Sequence, residues 1–334
     1  MLNIGLVGCG YWGKNYVRII GENSLVNFMY ISDLKGEPEG LRMSPKTIFV
    51  EDYNEMLSDK NLDAVVIATP TSTHYSLTKD FLEYGKHVLV EKPLTPNLGE
   101  AEDLCRISKE KGVILMVGEI FRFNSGIQYM KESIQRGDLG EIRYIECRRV
   151  GLGPIRTDVS ALWDLVSHDI YITRLLAGKN PVSVNCNGIS HNGYLDDIVA
   201  LSLNFPEKLF ATIYASWEHA TKERQIIVGG NKKAIKFDDI QIDNKIIVFD
   251  KGVDYQPKTG EYSDFQASIR DGDVYIPKLK IKEPLLMEFN HFIECINNPL
   301  EKCNSSGLEG LITVKILEAC EKSRQNGGAQ VTIS

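Results

Sequence analysis

No apolar run in the 334-residue sequence approaches the roughly 18 to 20 residues needed to cross a bilayer. No CxxC pair is present either, and the seven cysteines (9, 105, 147, 186, 295, 303 and 320) are scattered and odd in number. That pattern argues against a disulfide framework and a zinc site. It predicts reduced, mostly buried thiols in a cytoplasmic protein without a metal. Basic charge is also short, since 38 Lys and Arg face 45 Asp and Glu, for a net charge of −7. Such a chain has no electrostatic footprint for nucleic acid or for an anionic membrane surface. Internal repeats and low-complexity tracts are missing. What remains is ordinary for a globular protein: 43% hydrophobic and 25% charged residues, enough for two cores. The first residues, MLNIGLVGCG, carry no basic region and reach turn glycines quickly, so they read as a strand and not as a signal peptide.

Two periodicities alternate over the first 120 residues. Short apolar runs at 3–7, 26–31, 64–68, 87–90 and 113–117 are separated by amphipathic stretches around 12–20, 73–84 and 97–111. Fully apolar strands alternating with helices predict a doubly wound α/β domain with a parallel sheet, over residues 1–121. From 122 to 334 the pattern changes. A helix at 125–136 and a strand at 142–150 lead, through a Gly/Pro loop, to a helix near 163–176. Strands at 181–189, 196–204, 209–217, 224–230, 233–238 and 245–249 then follow without crossover helices. This predicts an α+β domain with a large open, mostly antiparallel sheet. The polar stretch 250–280 reads as a surface loop, and helices at 284–297 and 307–322 with a short strand near 330–333 close the chain.

Gly8-Cys9-Gly10-Tyr11-Trp12-Gly13 is a GxGxxG loop placed between a strand and a helix. In that context Gly8 permits the tight turn, Gly10 lets a pyrophosphate approach, and Gly13 lets the helix pack closely. Tyr11 and Trp12 are therefore cofactor candidates, while Cys9 reads as a small packed residue. Asp33 ends the second strand, where a carboxylate receives hydrogen bonds from the adenosine ribose. Its charge would repel a 2′-phosphate, which favours NAD over NADP, although Lys35 stands close enough to reach such a phosphate.

Two further segments follow the third and fourth of these strands, at the carboxyl ends where open α/β sheets bind ligands. In the first, Thr69-Pro70-Thr71-Ser72-Thr73-His74, residues Thr69, Pro70, Thr71 and His74 are cofactor candidates. The second is Glu91-Lys92-Pro93, in which Glu91 and Lys92 are cofactor candidates and Lys92 is also a candidate hydrogen-bond donor to a reacting hydroxyl. Asp164 and His168 are four apart, which puts a proton-transfer group and a carboxylate on one helix face. Read alone, the same residues also suit a surface lysine, a helix-terminal aspartate and a buried histidine.

The segments GCGYWG, TPTSTHY, EKPLT and WDLVSHD, with SWEHATKERQIIVGG and EPLLMEFNHFIECINN after them, resemble in order and spacing the glucose–fructose oxidoreductase/inositol dehydrogenase/MocA family. The resemblance runs over essentially the whole chain. It implies a Rossmann domain, an open-sheet domain used for homodimer or homotetramer contacts, and nicotinamide-dependent oxidation or reduction of a cyclic sugar or polyol. It assigns catalysis to Lys92, Asp164 and His168. More narrowly, RVGLGPIRTDVSALWDLVSHD and the SW…R…VGG segment are similar to enzymes that oxidise C3 of UDP-N-acetylglucosamine. In that reading Arg122, Asn124, Arg149 and Arg156, with Lys92, Asp164 and His168, bind the sugar nucleotide. Trp163 adds a flat stacking face for sugar or cofactor. Arg143 and Arg148 enlarge the basic cluster, although strand alternation keeps some of these arginines from sharing one pocket. The alternatives are an NADP-dependent ketosugar reductase, an inositol or free-sugar dehydrogenase, and a non-catalytic NAD-binding regulator.

Overall fold

The computed structural model describes residues 1–37, 46–153, 155–191, 193–255 and 267–333. Its chain forms two units, one of residues 1–123 and 283–318 and one of 124–282 and 319–334.

In the first unit the elements are β1 (Leu2–Val7), α1 (Gly13–Gly21), β2 (Val26–Ser32), β3 (Ile48–Val50), α2 (Asn54–Leu57) and β4 (Ala64–Ile67). They continue with α3 (His74–Glu83), β5 (His87–Glu91), α4 (Leu98–Lys111) and β6 (Leu115–Gly118). All six strands pair in parallel, in the order β3-β2-β1-β4-β5-β6. Strand order reverses at β1, so a crevice opens beyond its carboxyl end, where doubly wound sheets take ligands. The apolar runs are explained by burial on both sheet faces: every residue of β4 is buried.

The second unit starts with α5 (Ser125–Gln135), β7 (Ile142–Leu152), α6 (Ser167–Ala177), β8 (Ser183–Ile189), β9 (Ile198–Asn204) and β10 (Phe210–Ser216). It goes on with β11 (Glu218–Gly230), β12 (Ala234–Asp238), β13 (Ile246–Tyr255) and β14 (Ala267–Tyr275). The chain then forms α7 (Pro284–Asn297), which belongs to the first unit, α8 (Gly307–Gln325), which runs from the first unit into the second, and β15 (Val331–Thr332) of the second. The large sheet has the order β14-β13-β12-β11-β7-β10-β9-β8-β15 and is antiparallel except where β10 meets β7. Helices α5 and α6 pack on one face, against β12 and β7. Along β7, Ile145 and Cys147 point to that face and are buried, whereas Tyr144 on the other face is 44% exposed. Its cross-strand neighbour Phe210 is 43% exposed.

Three features depart from the sequence reading. The stretch 250–280 is not all loop: β13 extends to Tyr255 and pairs with β14. Residues 256–266 of that stretch lie outside the described ones. β14 is an edge strand whose Ile269 is 84% exposed, so backbone pairing forms it without the burial that would leave a hydrophobic pattern. β3 and α2, three and four residues long, were also unexpected, because so short a segment carries no readable period. The third departure concerns α7, which the sequence reading gave to the second domain. Its Leu285, Phe289, Phe292 and Ile293 are buried in one cluster with Ile4, Leu6, Tyr16 and Phe28. Each such side chain contributes about 1.5–3 kcal/mol on burial, which outweighs chain order in deciding where the helix packs.

Candidate active site

The glycine loop is built as its spacing demands. Gly8 adopts φ +90°, and a Cβ there would stand 2.7 Å from the Ala68 carbonyl oxygen. A Cβ on Gly13 would lie 2.1 Å from the Gly8 oxygen, so α1 and the loop touch through backbone alone. By contrast, a Cβ on Gly10 would meet nothing within 4 Å. The loop is open at that point, Tyr11 beside it is 94% exposed, and no side chain caps the amides that begin α1. Open amides at a helix N-terminus suit a pyrophosphate.

Asp33 follows β2 directly. Its Oδ2 accepts the Cys9 amide at 2.6 Å and its Oδ1 the Lys35 amide at 2.8 Å. Two amides aim the carboxylate at the loop, and its remaining lone pairs suit ribose hydroxyls. The donor set therefore fits NAD. Burial, then the charge of Asp33, pushes the Cys9 thiol up to about 11, in keeping with a packed residue.

His74 has a different place from the one expected. It is 1% exposed, with Nδ1 2.8 Å from the Pro93 oxygen and Nε2 3.0 Å from the Thr69 oxygen. The ring thus clamps the loops after β4 and β5 together. Thr71 is buried, Pro70 is exposed, and the Thr73 hydroxyl donates to the Pro70 carbonyl at 2.8 Å.

Lys92, half-buried, stands immediately after β5 and precedes Pro93 through a cis peptide. Glu91 beside it accepts the Trp12 indole N–H, the Tyr16 hydroxyl at 2.9 Å and the Lys92 amide at 3.3 Å. Trp12 thus ties the glycine loop to the end of β5, its N–H directed at Glu91. Arg122 donates to Asn304 Oδ1 at 2.8 Å. Elsewhere in this unit His291, Cys295 and Cys303 bring donor atoms within 4.8 Å of one another. The His291 Nε2 lone pair there accepts the Asn304 amide at 3.0 Å, which opposes metal ligation.

In the second unit, a π-helical turn at Leu162–Val166 leads into α6. Between 161 and 170 only Trp163, Asp164, Leu165 and His168 escape burial, so the expected site residues Trp163 and Asp164 on the turn and His168 at the start of α6 are each half-buried. Arg156 reaches Asp164 at 3.2 Å and Asp158 at 2.5 Å. Asn124 caps α5 through the Gly126 amide at 2.9 Å and donates to Asp239 at 3.3 Å.

Arg149, expected in the sugar pocket, is instead closed into a bidentate pair with Asp169, at 2.9 and 2.7 Å. The side chains are 7% and 2% exposed. β7 alternation turns Arg148 to the opposite face, where Glu223 holds it at 2.6 Å. A residue of the SW…R…VGG segment that was not among the expected site residues lies across the sheet. Arg224 on β11 is directly opposite Arg149, and its Nη1 donates to the Val150 and Glu223 carbonyls at 2.7 and 2.9 Å. No carboxylate pairs with it among the described residues. Burial, then Arg149, holds its guanidinium below the usual arginine range. Only strand register reveals that it stands opposite Arg149.

Comparison with known proteins adds independent findings. Residues 2–119 match the model of an oxidoreductase family with an NAD-binding Rossmann fold, and residues 127–236 match the GFO/IDH/MocA C-terminal domain. The UDP-N-acetylglucosamine 3-dehydrogenase of Acidithiobacillus ferrooxidans is 36% identical over 130 residues, covering 39% of this chain and 40% of that protein. A solved structure of that enzyme shares the fold, with TM-score 0.79 over 97% of this chain and 98% of that one, at 21% identity. The scyllo-inositol 2-dehydrogenase (NAD+) of Bacillus subtilis is 28% identical over 342 residues, covering 97% of this chain and 93% of that protein. The 2,7-anhydro-N-acetylneuraminate hydratase of Escherichia coli is 27% identical over 257 residues, covering 71% and 68%. No helix among the described residues is long and apolar enough to cross a membrane.

Proposed function

The chain belongs to the GFO/IDH/MocA family of NAD-binding oxidoreductases, and from that premise we propose that it oxidises a ring hydroxyl, at C3, of a nucleotide-linked sugar such as UDP-N-acetylglucosamine. The observation that carries the substrate reading is Arg224. A half-buried guanidinium without a carboxylate partner is stabilised by an incoming anion, and a diphosphate is one. The similarity to the Acidithiobacillus dehydrogenase supports the same direction.

Bound NAD supplies the hydride acceptor. His168 takes the hydroxyl proton, as suits an imidazole near neutral pH. Lys92 donates a hydrogen bond to the same oxygen as negative charge builds there. Asp164, steadied by Arg156, orients the imidazole or a neighbouring hydroxyl. The setting is the cytoplasm, where all seven cysteines stay as free thiols. Assembly as a homodimer or homotetramer uses the open sheet face around Tyr144 and Phe210.

A second reading, an inositol or free-sugar dehydrogenase, is favoured by the engagement of Arg122, Arg148, Arg149 and Arg156 within the protein. One experiment separates the two. UDP-N-acetylglucosamine and NAD are supplied with a 3-keto-sugar transaminase and glutamate, and the 3-amino product is sought by mass spectrometry. The product supports the nucleotide-sugar reading. Its absence, with rapid NADH formation from scyllo- or myo-inositol, replaces that reading with the second.

A further inference from the structure

Glu91, whose neighbour is Lys92, meets two other buried acids. Tyr16 on α1 and Glu288 on α7 are fully buried, and Glu119, just after β6, is 1% exposed. The Tyr16 hydroxyl oxygen is 2.9 Å from Glu91 Oε1 and 3.3 Å from Glu288 Oε2. A phenol has one proton to give. Glu91 also receives the Trp12 indole N–H and the Lys92 amide, and it packs on Gly118, where a Cβ would lie 3.0 Å from Oε1. Among the described residues no N–H donates to Glu288, and its Oε1 has no hydrogen-bond partner.

The proton count then has one solution. Glu91, with three donors, is the carboxylate. Glu288 lies near a phenol whose proton is already directed to Glu91, so it must contribute a proton of its own. Burial raises both carboxyls, but the Tyr16 hydroxyl, Lys92 and the Trp12 indole oppose the rise at Glu91, whereas the charges of Glu91 and Glu119 add to it at Glu288 and push it well above its ordinary range.

We propose that Glu288 is a positioning residue: as a neutral acid it donates to the Tyr16 oxygen, Tyr16 donates to Glu91, and this chain fixes the backbone from which Lys92 works. The kinetic part rests on the role given to Lys92 above; the protonation part does not. Three elements of the first unit are thereby joined: α1, the end of β5 and α7.

The test uses Glu288→Leu, Glu288→Gln and Tyr16→Phe in the full-length protein. Glutamine has the shape of the neutral acid and donates from its amide. Glu288→Leu and Tyr16→Phe should lower kcat roughly 10- to 100-fold, the effect of a reacting group displaced by about an ångström, with KM for NAD little changed. Glu288→Gln should restore most of that loss. Independently of any substrate, infrared spectroscopy at neutral pH should show a protonated carboxylic C=O stretch that disappears in Glu288→Gln.

The pH dependence has a definite sign. The folded state holds the Glu288 proton more tightly than the unfolded state does. Wild-type stability from this group is therefore full below its ordinary value of 4.5 and declines as pH rises toward the raised one. Glu288→Gln should gain in melting temperature over wild type across that rise, with Glu91, Glu119, Tyr16 and Lys92 unchanged around it. A wild type without the protonated carbonyl band, or a glutamine variant as damaged as the leucine one, overturns the proposal. A missing activity on UDP-sugars accompanied by the band and the pH trend would instead count against the substrate reading alone.

Discussion

Arg149 and Arg224 stand directly opposite each other on β7 and β11, and Asp169 is hydrogen-bonded to the first of them alone. Like charges at a cross-strand pair oppose folding. The sheet tolerates them because Arg149 is locked to Asp169 in a nearly dry bidentate pair, while Arg224 reaches two backbone carbonyls and keeps its charge. A protein that stabilised itself alone would gain by losing Arg224.

Arg224→Gln should therefore leave the melting temperature equal or higher while weakening an anionic substrate. Losing a charged hydrogen bond costs about 1.5–3 kcal/mol, roughly a ten- to hundredfold rise in KM for a UDP-sugar. Arg224→Lys should fall between, and raising salt should shrink the difference. Unchanged KM in Arg224→Gln would remove Arg224 from substrate binding.

Arg149 behaves in the opposite way. Asp169→Asn should destabilise by about 3–5 kcal/mol, because it leaves a buried guanidinium without its counter-charge. Urea titration of Asp169→Asn, Arg149→Met and the double variant measures this, with the double variant expected to be less damaged than the two single losses summed. A loss confined to activity, with stability intact, would restore Arg149 to the pocket.

Gly13 and Gly10 should separate cleanly. Gly13→Ala should impair folding, since its methyl would collide with the Gly8 oxygen, whereas Gly10→Ala should fold normally and weaken NAD binding. Asp33→Ser should narrow the preference for NAD over NADP, at a cost on the order of 1.5–3 kcal/mol in NAD binding. Calorimetric titration with both dinucleotides reads all three variants, and equal wild-type use of both would remove Asp33 from the selection.

Lys92→Ala and His168→Asn should each reduce kcat by about 10² to 10⁴, the usual contribution of a positioned acid or base. NAD affinity should change far less in either. Near-normal turnover in both variants would move the proton chemistry to other residues.

The Rossmann half was legible because every cue there is local: buried strands with continuous apolar runs, and three glycines at fixed spacing. The register that sets Arg224 against Arg149 was not, since 75 residues separate them and no intervening motif marks the pairing. Five arginines looked alike as a basic cluster, and only their partners, Asn304 for Arg122, the Val253 carbonyl for Arg143, Glu223 for Arg148, Asp169 for Arg149 and Asp158 for Arg156, distinguish them. Glu91 was visible as part of a tripeptide, whereas Glu288 looked like one polar position in an amphipathic helix. Its importance lies in a contact with Tyr16 across 272 residues.

The return of residues 283–318 to the first unit makes the order of synthesis matter. While the ribosome is still translating the large sheet, the nascent N-terminal half has an apolar surface where Phe289 and Phe292 will dock, and nothing yet to cover it. That half completes its core only when α7 emerges, after strands β7 to β14 have been made. Stalled or truncated chains ending near residue 123 should therefore be chaperone clients, whereas a circular permutant that presents 283–318 before β1 should mature its dinucleotide domain early.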